Sequence, residues 1–351
     1  MKRAVLSFVV VATIATSAVF QFGCSKKAET SNETEDYFSD RTKVNDIPEG
    51  VYVAGWEMNA ADKIVAKLWK NDEVLNVGNS IRPYSMYVSD DEDVYITLSD
   101  FWPSLLWKNG KVQRLNDRQQ SGALSVFVSG RDVYVAGWEN SDEYIGVAKL
   151  WKNGEVQNLS DGSKNAAAYS VYISGNEVYV GGFVVSEYNQ PAAVIWKNGE
   201  IQNLTDGTCQ SFVNSIFVLG DDVYAAGSLN EGRMAPKLWK NGELQEFENT
   251  VYGEAQSVYV SGNDVYVAGW EEEEYGWFYA QLWKNGVKQN ISNKTVVSRA
   301  NSVFVADENV FVAGWEADEN RITTAARLWI NGEIREISES SNSQAICVFV
   351  K

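Results

Sequence analysis

A tryptophan set in Leu-Trp-Lys or a close variant recurs at positions 69, 107, 151, 196, 239, 283 and 329, with spacings of 38, 44, 45, 43, 44 and 46 residues. A period of this length marks a repeat architecture, in which each unit covers the apolar face of the next. Two further phrases keep step with it. One, of the type VYVAGW, starts at Val51, Val94, Val133, Val178, Val223, Val265 and Val310. The other, of the type SVYVSG, starts at Ser85, Ser125, Ser170, Ser215, Ser257 and Ser302, and its seventh copy runs from Ala345. Each phrase is a short run of Val, Tyr, Phe and Trp bounded by Gly, Asn or Asp, which is the vocabulary of strands. No helical period interrupts them after residue 46.

One repeat therefore reads as a four-strand antiparallel meander: SVYVSG, VYVAGW, AKLWKNG, EVQNLS. Ser261-Gly262-Asn263-Asp264 is typical of the first turn, and Asn-Gly, which tolerates positive φ at both positions, joins the third strand to the fourth. A sheet of four short strands leaves two apolar faces bare, and radial stacking of seven sheets covers them. The fold class that follows is all-β, a seven-bladed β-propeller of four-stranded antiparallel blades over residues 47–351. It is closed by the C-terminal strand from Ala345 pairing with the N-terminal three strands. A second cut, with AKLWKNG innermost, would put the N-terminal strand on the outer edge, and spacing leaves both open.

The segment YSVYISGNEVYVGGF, Tyr169 to Phe183, resembles a kelch repeat, with its inner strand, tight turn, strand ending in Gly181-Gly182, variable loop and Trp-bearing outer pair. All seven units share this layout. The resemblance implies that SVYVSG is the innermost strand, and that the chain is a kelch-like repeat protein.

The first residues are basic, and Ala4 to Phe20 form an apolar run of 17 residues, the layout of a secretory signal peptide. An uncleaved anchor is the other reading of a run this long. Gln21 to Cys24 resembles a bacterial lipoprotein signal-peptidase site. The resemblance implies a signal peptide over residues 1–23, a diacylglycerol on Cys24 and, with Ser25 next, delivery to the outer membrane, on its periplasmic side or at the cell surface. Residues 24–46 are polar, rich in Glu, Ser, Thr and Lys, and read as a flexible tether. With Cys24 modified, only Cys209 and Cys347 remain. They fall in different blades, so no disulfide is expected and Cys347 reads as a packed thiol.

Lys and Arg number 30 against 47 Asp and Glu, a net charge of −17, which repels phosphate backbones and disfavours nucleic acid as a partner. The sequence contains no His, which removes imidazole bases, Ser-His and Cys-His nucleophile pairs and the commonest metal ligand. No catalytic residue, cofactor or metal is expected. NLSDG from Asn158 and NLTDG from Asn203 read as Asp-Gly turns rather than calcium loops, for want of six to eight converging oxygens.

The seven Leu-Trp-Lys tryptophans read as packing between blades. So do Tyr87, Phe127, Tyr172, Phe217, Tyr259 and Phe304 of the inner strands, while the Ser two residues before each is expected to satisfy a backbone group. In an up-and-down meander the two tight turns share one face and the two long, variable connections share the other, the candidate functional face. There the Ala-Gly-Trp-Glu signature gives Trp56 and Glu57, Trp138 and Glu139, Trp270 and Glu271, and Trp315 and Glu316, in blades 1, 3, 6 and 7. Before the inner-strand Ser, Tyr84, Leu124 and Tyr169 mark one arc, and Asn214, Gln256, Asn301 and Gln344 the other. Blade 6 adds EEEEYGWFYA, with Tyr275 and Trp277 beside four carboxylates.

Aromatic faces beside carboxylates and amides suit a saccharide or a cationic ligand. The expected ligand-binding set is Trp56, Glu57, Gln256, Trp270, Glu271, Tyr275, Trp277, Asn301, Trp315, Glu316 and Gln344. The expected function is a non-catalytic cell-envelope binding scaffold, lipid-anchored with a monomeric body, that presents one loop face to a saccharide or protein. A subunit of an outer-membrane assembly complex is the alternative. A carboxylate-based polysaccharide hydrolase or lyase is a third.

Overall fold

The structure, a computed structural model, describes residues 42–43, 47–71, 73–99, 103–116, 120–245, 247–248, 250–274, 276–289, 291–292, 294–338, 340 and 342–351. The expected signal peptide, Cys24 and most of the tether lie outside them. Every regular element described is a strand, and the strands form seven antiparallel sheets. Blade 4 shows the plan, with Ala166–Ser174 innermost, then Glu177–Val185, Pro191–Lys197 and Glu200–Asn203 at the rim.

The expected closure is present. Ser343–Val350 pairs with Val51–Met58, followed outward by Ile64–Lys70 and Glu73–Asn79, so blade 1 joins both ends of the chain. SVYVSG is thereby the innermost strand, which settles the choice that spacing left open. Thr42–Lys43 adds a fifth strand to the rim of this blade, on Val74 and Glu73.

The core consists of seven apolar clusters, one at each boundary between blades. In each, a Leu-Trp-Lys tryptophan packs on the preceding blade, as Trp196 of blade 4 does in a cluster with Tyr134, Ala136 and Leu150 of blade 3. All seven are buried, at 0–3% exposure. Covering one such ring removes about 150–250 Å² from water, or roughly 4–6 kcal/mol as an upper bound.

The inner-strand aromatics do something more specific than fill these boundaries. Tyr87, Phe127, Tyr172, Phe217, Tyr259, Phe304 and Phe349 touch one another in a closed cycle, with centroids 4.6–5.2 Å apart. Their interplanar angles, 44–58°, scatter around the value of about 51° that sevenfold rotation imposes on rings standing parallel to the axis. They are half-buried and form a girdle around the axis, not a layer hidden between blades.

Beside the girdle, the recurrent Ser hydroxyls of blades 2 to 7 accept a backbone N–H from the next blade. The acceptors are Ser85, Ser125, Ser170, Ser215, Ser257 and Ser302, at 3.0–3.3 Å. Cys347 takes this place in blade 1, where its thiol faces the backbone of Met86 and Ala54. Burial pushes that thiol up to about 12.

On the short-turn face, the Asn of each Asn-Gly turn holds φ of 45–53° in blades 2 to 7. In blade 6, Asn285 Oδ1 accepts from the Val265 N–H at 2.8 Å and its Nδ2 donates to Asp264 at 2.8 Å. Lys284 pairs with Asp264 at 2.7 Å and lies 5.3 Å over the Tyr266 ring. Blades 2, 3 and 5 repeat the network. In blade 7 its acid, base and phenol are replaced together by Asn309, Ile330 and Phe311. This face is a stitched surface, which leaves variation to the opposite one.

Candidate functional site

On the long-loop face, every inner strand carries a β-bulge at the residue before the recurrent Ser, or before Cys347 in blade 1. The bulge drives the carbonyl of the residue two places earlier against the neighbouring strand, where a Cβ would lie 1.8–2.1 Å from it in six blades. Gly55, Gly137, Gly182, Gly227, Gly269 and Gly314 occupy that spot, so the Gly of Ala-Gly-Trp is there because only hydrogen fits.

The bulge corrects the register of one expected site residue. The bulged residues are Tyr84, Leu124, Tyr169, Asn214, Gln256, Asn301 and Ile346, so Gln344 does not belong among them. It sits two places earlier, directly across from Trp56, and is 8% exposed. The residues equivalent to it, blade by blade from 2, are Arg82, Gly122, Ala167, Phe212, Glu254 and Arg299. One arc, blades 6, 7, 1 and 2, is polar or charged, and the other is small or apolar.

These residues explain the signature tryptophans. Arg299 of blade 7 lies 4.5 Å over Trp270 of blade 6 and 4.8 Å over Phe278, and Arg82 of blade 2 lies 5.5 Å over Trp56 of blade 1. Trp315 meets Phe278 edge-on. Where Phe183 replaces Trp in blade 4, Phe212 of blade 5 faces it at 5.3 Å. Trp56, Trp270 and Trp315, expected to present their faces to a ligand, are 5–8% exposed and act as wedges between blades.

The glutamates of the signature are likewise engaged. Glu57 pairs with Lys67 at 3.2 Å, Glu139 with Lys149 at 3.2 Å, Glu316 with Arg327 at 3.1 Å and Glu271 with Lys288 at 2.7 Å. Ser338 donates to Glu57, and the Val251 N–H to Glu271 at 3.1 Å, so these two carboxylates also tie down the connection between blades. Burial raises the Glu271 carboxyl, with Lys288 and the Val251 N–H pulling it back. Asn301 donates to the Ala345 carbonyl of the next blade at 2.7 Å, and Gln256 to Glu254 at 2.8 Å. Trp277 is half-buried with the Arg321 guanidinium 3.4 Å from its ring centre. Tyr275 lies outside the described residues. In the acidic loop of blade 6, Glu272 accepts from the Gly276 N–H at 2.6 Å and Glu273 pairs with Lys294. The described members of the expected set thus share one face, but mainly as packing and staples.

Sequence reading missed the charged pair behind that set, Glu254 and the buried Arg299. Burial raises the Glu254 carboxyl, opposed by the Arg299 guanidinium and then by Trp270 and Gln256. Burial also lowers Arg299, whose Nε is without a hydrogen-bond partner. The Trp270 indole N–H is near the carboxylate but outside hydrogen-bond geometry. The signal was available: Glu254 and Arg299 hold equivalent repeat positions, with opposite charge, in adjacent blades.

Among the described residues, the face leaves open several loop tips and a cleft. Tyr144 in blade 3 is 73% exposed and Tyr188 in blade 4 is 55% exposed, each in a five-residue turn between second and third strands. Tyr144 holds φ of 62°, a strained conformation for a bulky residue. A cavity of about 450 Å³ opens between the hairpin of blade 5 and the connection to blade 6, lined by Arg233, Lys237, Val251 and Tyr252 among others.

No protein-family model matches the chain. No curated protein matches it either. Solved structures do. The β-propeller domain of the Trilobed protease from Pyrococcus furiosus, of open velcro topology, is 11% identical over 87% of this chain and 99% of that one, with a TM-score of 0.53. The uncomplexed acylaminoacyl peptidase of Pyrococcus horikoshii is 13% identical over 86% of this chain and 52% of its own, with a TM-score of 0.53. The chain spans about half the length of that peptidase. At such identities the likeness is one of fold, a β-propeller.

Proposed function

We propose that this propeller is a non-catalytic binding scaffold of the cell envelope, kelch-like in its repeat and held at the outer membrane by a lipid on Cys24, with its long-loop face turned to a saccharide. The observation that carries the reading is the exposure of Tyr144 and Tyr188 on adjacent blades of a face where Trp56, Trp270 and Trp315 are packed away. Tyr144 in addition holds a strained backbone conformation, which costs stability that a purely structural turn has no need to give up. Aromatic faces stack on the C–H faces of sugar rings. The engagement of Glu57, Glu139, Glu271 and Glu316 with basic partners supports binding over carboxylate catalysis, which needs a free acid and base.

The test is a glycan array probed with the full-length protein. Tyr144→Ala and Tyr188→Ala should each remove binding while the fold, read by near-ultraviolet circular dichroism, persists. Retained binding in both variants would sink the reading. Fractionation tests the anchor, since Cys24→Ala should move the protein from the membrane to the soluble fraction.

A subunit role in an outer-membrane assembly complex is favoured by one other feature. Val112, Val156, Ile201, Leu244 and Ile334 sit on free outer strands at 38–54% exposure. A stoichiometric membrane complex in a pull-down, lost when these are changed to Thr, would select that role.

A further inference from the structure

Blade 5 departs from its neighbours in a way that leaves a cation without its internal carboxylate. In blades 1, 3 and 7 the base opposite the second-strand Gly, Lys67, Lys149 or Arg327, is held by the glutamate of the signature. Blade 4 has Val194 and Val184 in these places, and blade 6, with Gln281 there, draws Lys288 to its Glu271. Blade 5 keeps the base, Lys237, and puts Leu229 where the acid would be. Lys237 turns outward to Glu231 at 3.0 Å, a side chain 62% exposed and so a weak partner.

The same blade has Ser228 in place of the wedge tryptophan. The cavity of about 450 Å³ opens at this boundary, within the size range of sites for small ligands. Arg233, on the tip of the hairpin, lines it and forms no ion pair among the described residues. On the opposite wall Tyr252, 36% exposed, is held edge-on to Trp270 at 5.5 Å, so its ring is oriented before a ligand arrives. Thr250 offers a hydroxyl beside it. In a chain of net charge −17, two cations against one exposed acid make a local exception.

From these features we infer that the cleft between blades 5 and 6 binds an anionic pyranose, a sugar ring bearing a carboxylate or a sulfate. The ring stacks on Tyr252, and the anionic group is taken by Arg233 and Lys237, with Glu231 displaced. Arg233 suits the role because its planar fork matches carboxylate and sulfate oxygens. The inference rests on the saccharide reading above and gives it a second site, apart from Tyr144 and Tyr188.

The test is calorimetric titration of the full-length protein with three probes: a galacturonate trimer, a sulfated disaccharide and a neutral trimer of matched length. The anionic probes should bind at least tenfold more tightly than the neutral one, and the stronger of the two identifies the anion. Arg233→Ala and Lys237→Gln should each weaken that binding about tenfold, the loss of one charge-assisted contact. Tyr252→Ala should weaken all ring-bearing probes alike. Arg233 is exposed, so its replacement leaves the fold intact, and near-ultraviolet circular dichroism checks this. Equal binding of neutral and anionic probes, no binding of either anionic probe, or anionic binding indifferent to Arg233→Ala would each overturn the cleft assignment. An acidic peptide binding as tightly as the sugars would overturn it too. Glycan binding that survives those outcomes and still depends on Tyr144 leaves the scaffold reading standing, whereas loss of all glycan binding removes both.

Discussion

Replacing Cys347 by Ser should stabilise the protein, which is an unusual expectation for a substitution in the innermost strand. Six of the seven joins between inner strands are made by a Ser hydroxyl accepting a backbone N–H at 3.0–3.3 Å, and Cys347 stands in the seventh. Sulfur is a weak acceptor, so the Met86 N–H there is poorly matched. A buried N–H to oxygen bond contributes about 0.5–1.5 kcal/mol net, and loss of the sulfur's apolar contacts takes back a few tenths. The gain should be about 0.5–1 kcal/mol, or roughly 1–3 °C in Tm for a chain of this size.

Thermal and urea unfolding of Cys347→Ser, with Ser302→Ala as the opposite arm, measures it. Ser302→Ala leaves the Val348 N–H unmatched and should cost about 1–2 kcal/mol. A destabilised Cys347→Ser beside a costly Ser302→Ala would refute the equivalence of the seven joins. Alkylation gives an independent check. With its pKa pushed up to about 12, the Cys347 thiol should resist iodoacetamide at pH 8 in the folded protein and react only in denaturant.

Three further outcomes follow from the long-loop face. Trp315→Ala should cost about 3–5 kcal/mol in chemical denaturation, as for a buried wedge, and a loss below about 1 kcal/mol would mean that the ring is not packed between blades. Glu254 sits above its ordinary 4.5 because burial disfavours its charge, so the stability tied to it is full below about pH 4.5 and is lost as pH rises through the folded value. Glu254→Gln should therefore gain on the wild type between those two pH values, whatever constant offset Arg299 adds, and parallel stability curves would contradict the burial. Tyr144→Gly should relieve the positive φ and add about 0.5–1 kcal/mol while weakening glycan binding, and a stabilised variant with unchanged binding would detach that ring from function.

The blade plan was legible because each strand phrase carries its own partner's signal. Asn-Gly fixes one hairpin, the Ser-Gly and Asp flanks fix the other, and the seven tryptophans mark the boundaries. What sequence could not supply was the bulge. Separately, starting the seventh inner-strand phrase at Ala345 instead of Cys347, which replaces the recurrent Ser, moved blade 1 by two places and aligned Gln344 with Gln256 and Asn301 instead of with Glu254 and Arg299. Exposure was equally hidden, since a Trp at a loop mouth reads the same in sequence whether it faces water, like a binding platform, or an arginine of the next blade.

Once the bulge register is known, the variation at four of the seven boundaries reads as matched pairs. The residue after the bulge-facing Gly in one blade is matched to the residue across the boundary in the next: Trp270 with Arg299, Trp56 with Arg82, Phe183 with Phe212, Ser99 with Gly122. At these four boundaries an aromatic ring is met by a cation or another ring and a small residue by a small one, whereas Trp138 stands across from Ala167 and Trp315 across from Gln344. At the boundary of blades 5 and 6 the small Ser228 stands across from Glu254, an acid whose charge is supported by Arg299 of blade 7 instead. That boundary is also where Lys237 has lost its internal carboxylate and where the cleft opens. At the two other unmatched boundaries the base keeps its carboxylate, Lys149 with Glu139 and Arg327 with Glu316, so the boundary of blades 5 and 6 is where a mismatch in packing and a mismatch in charge coincide.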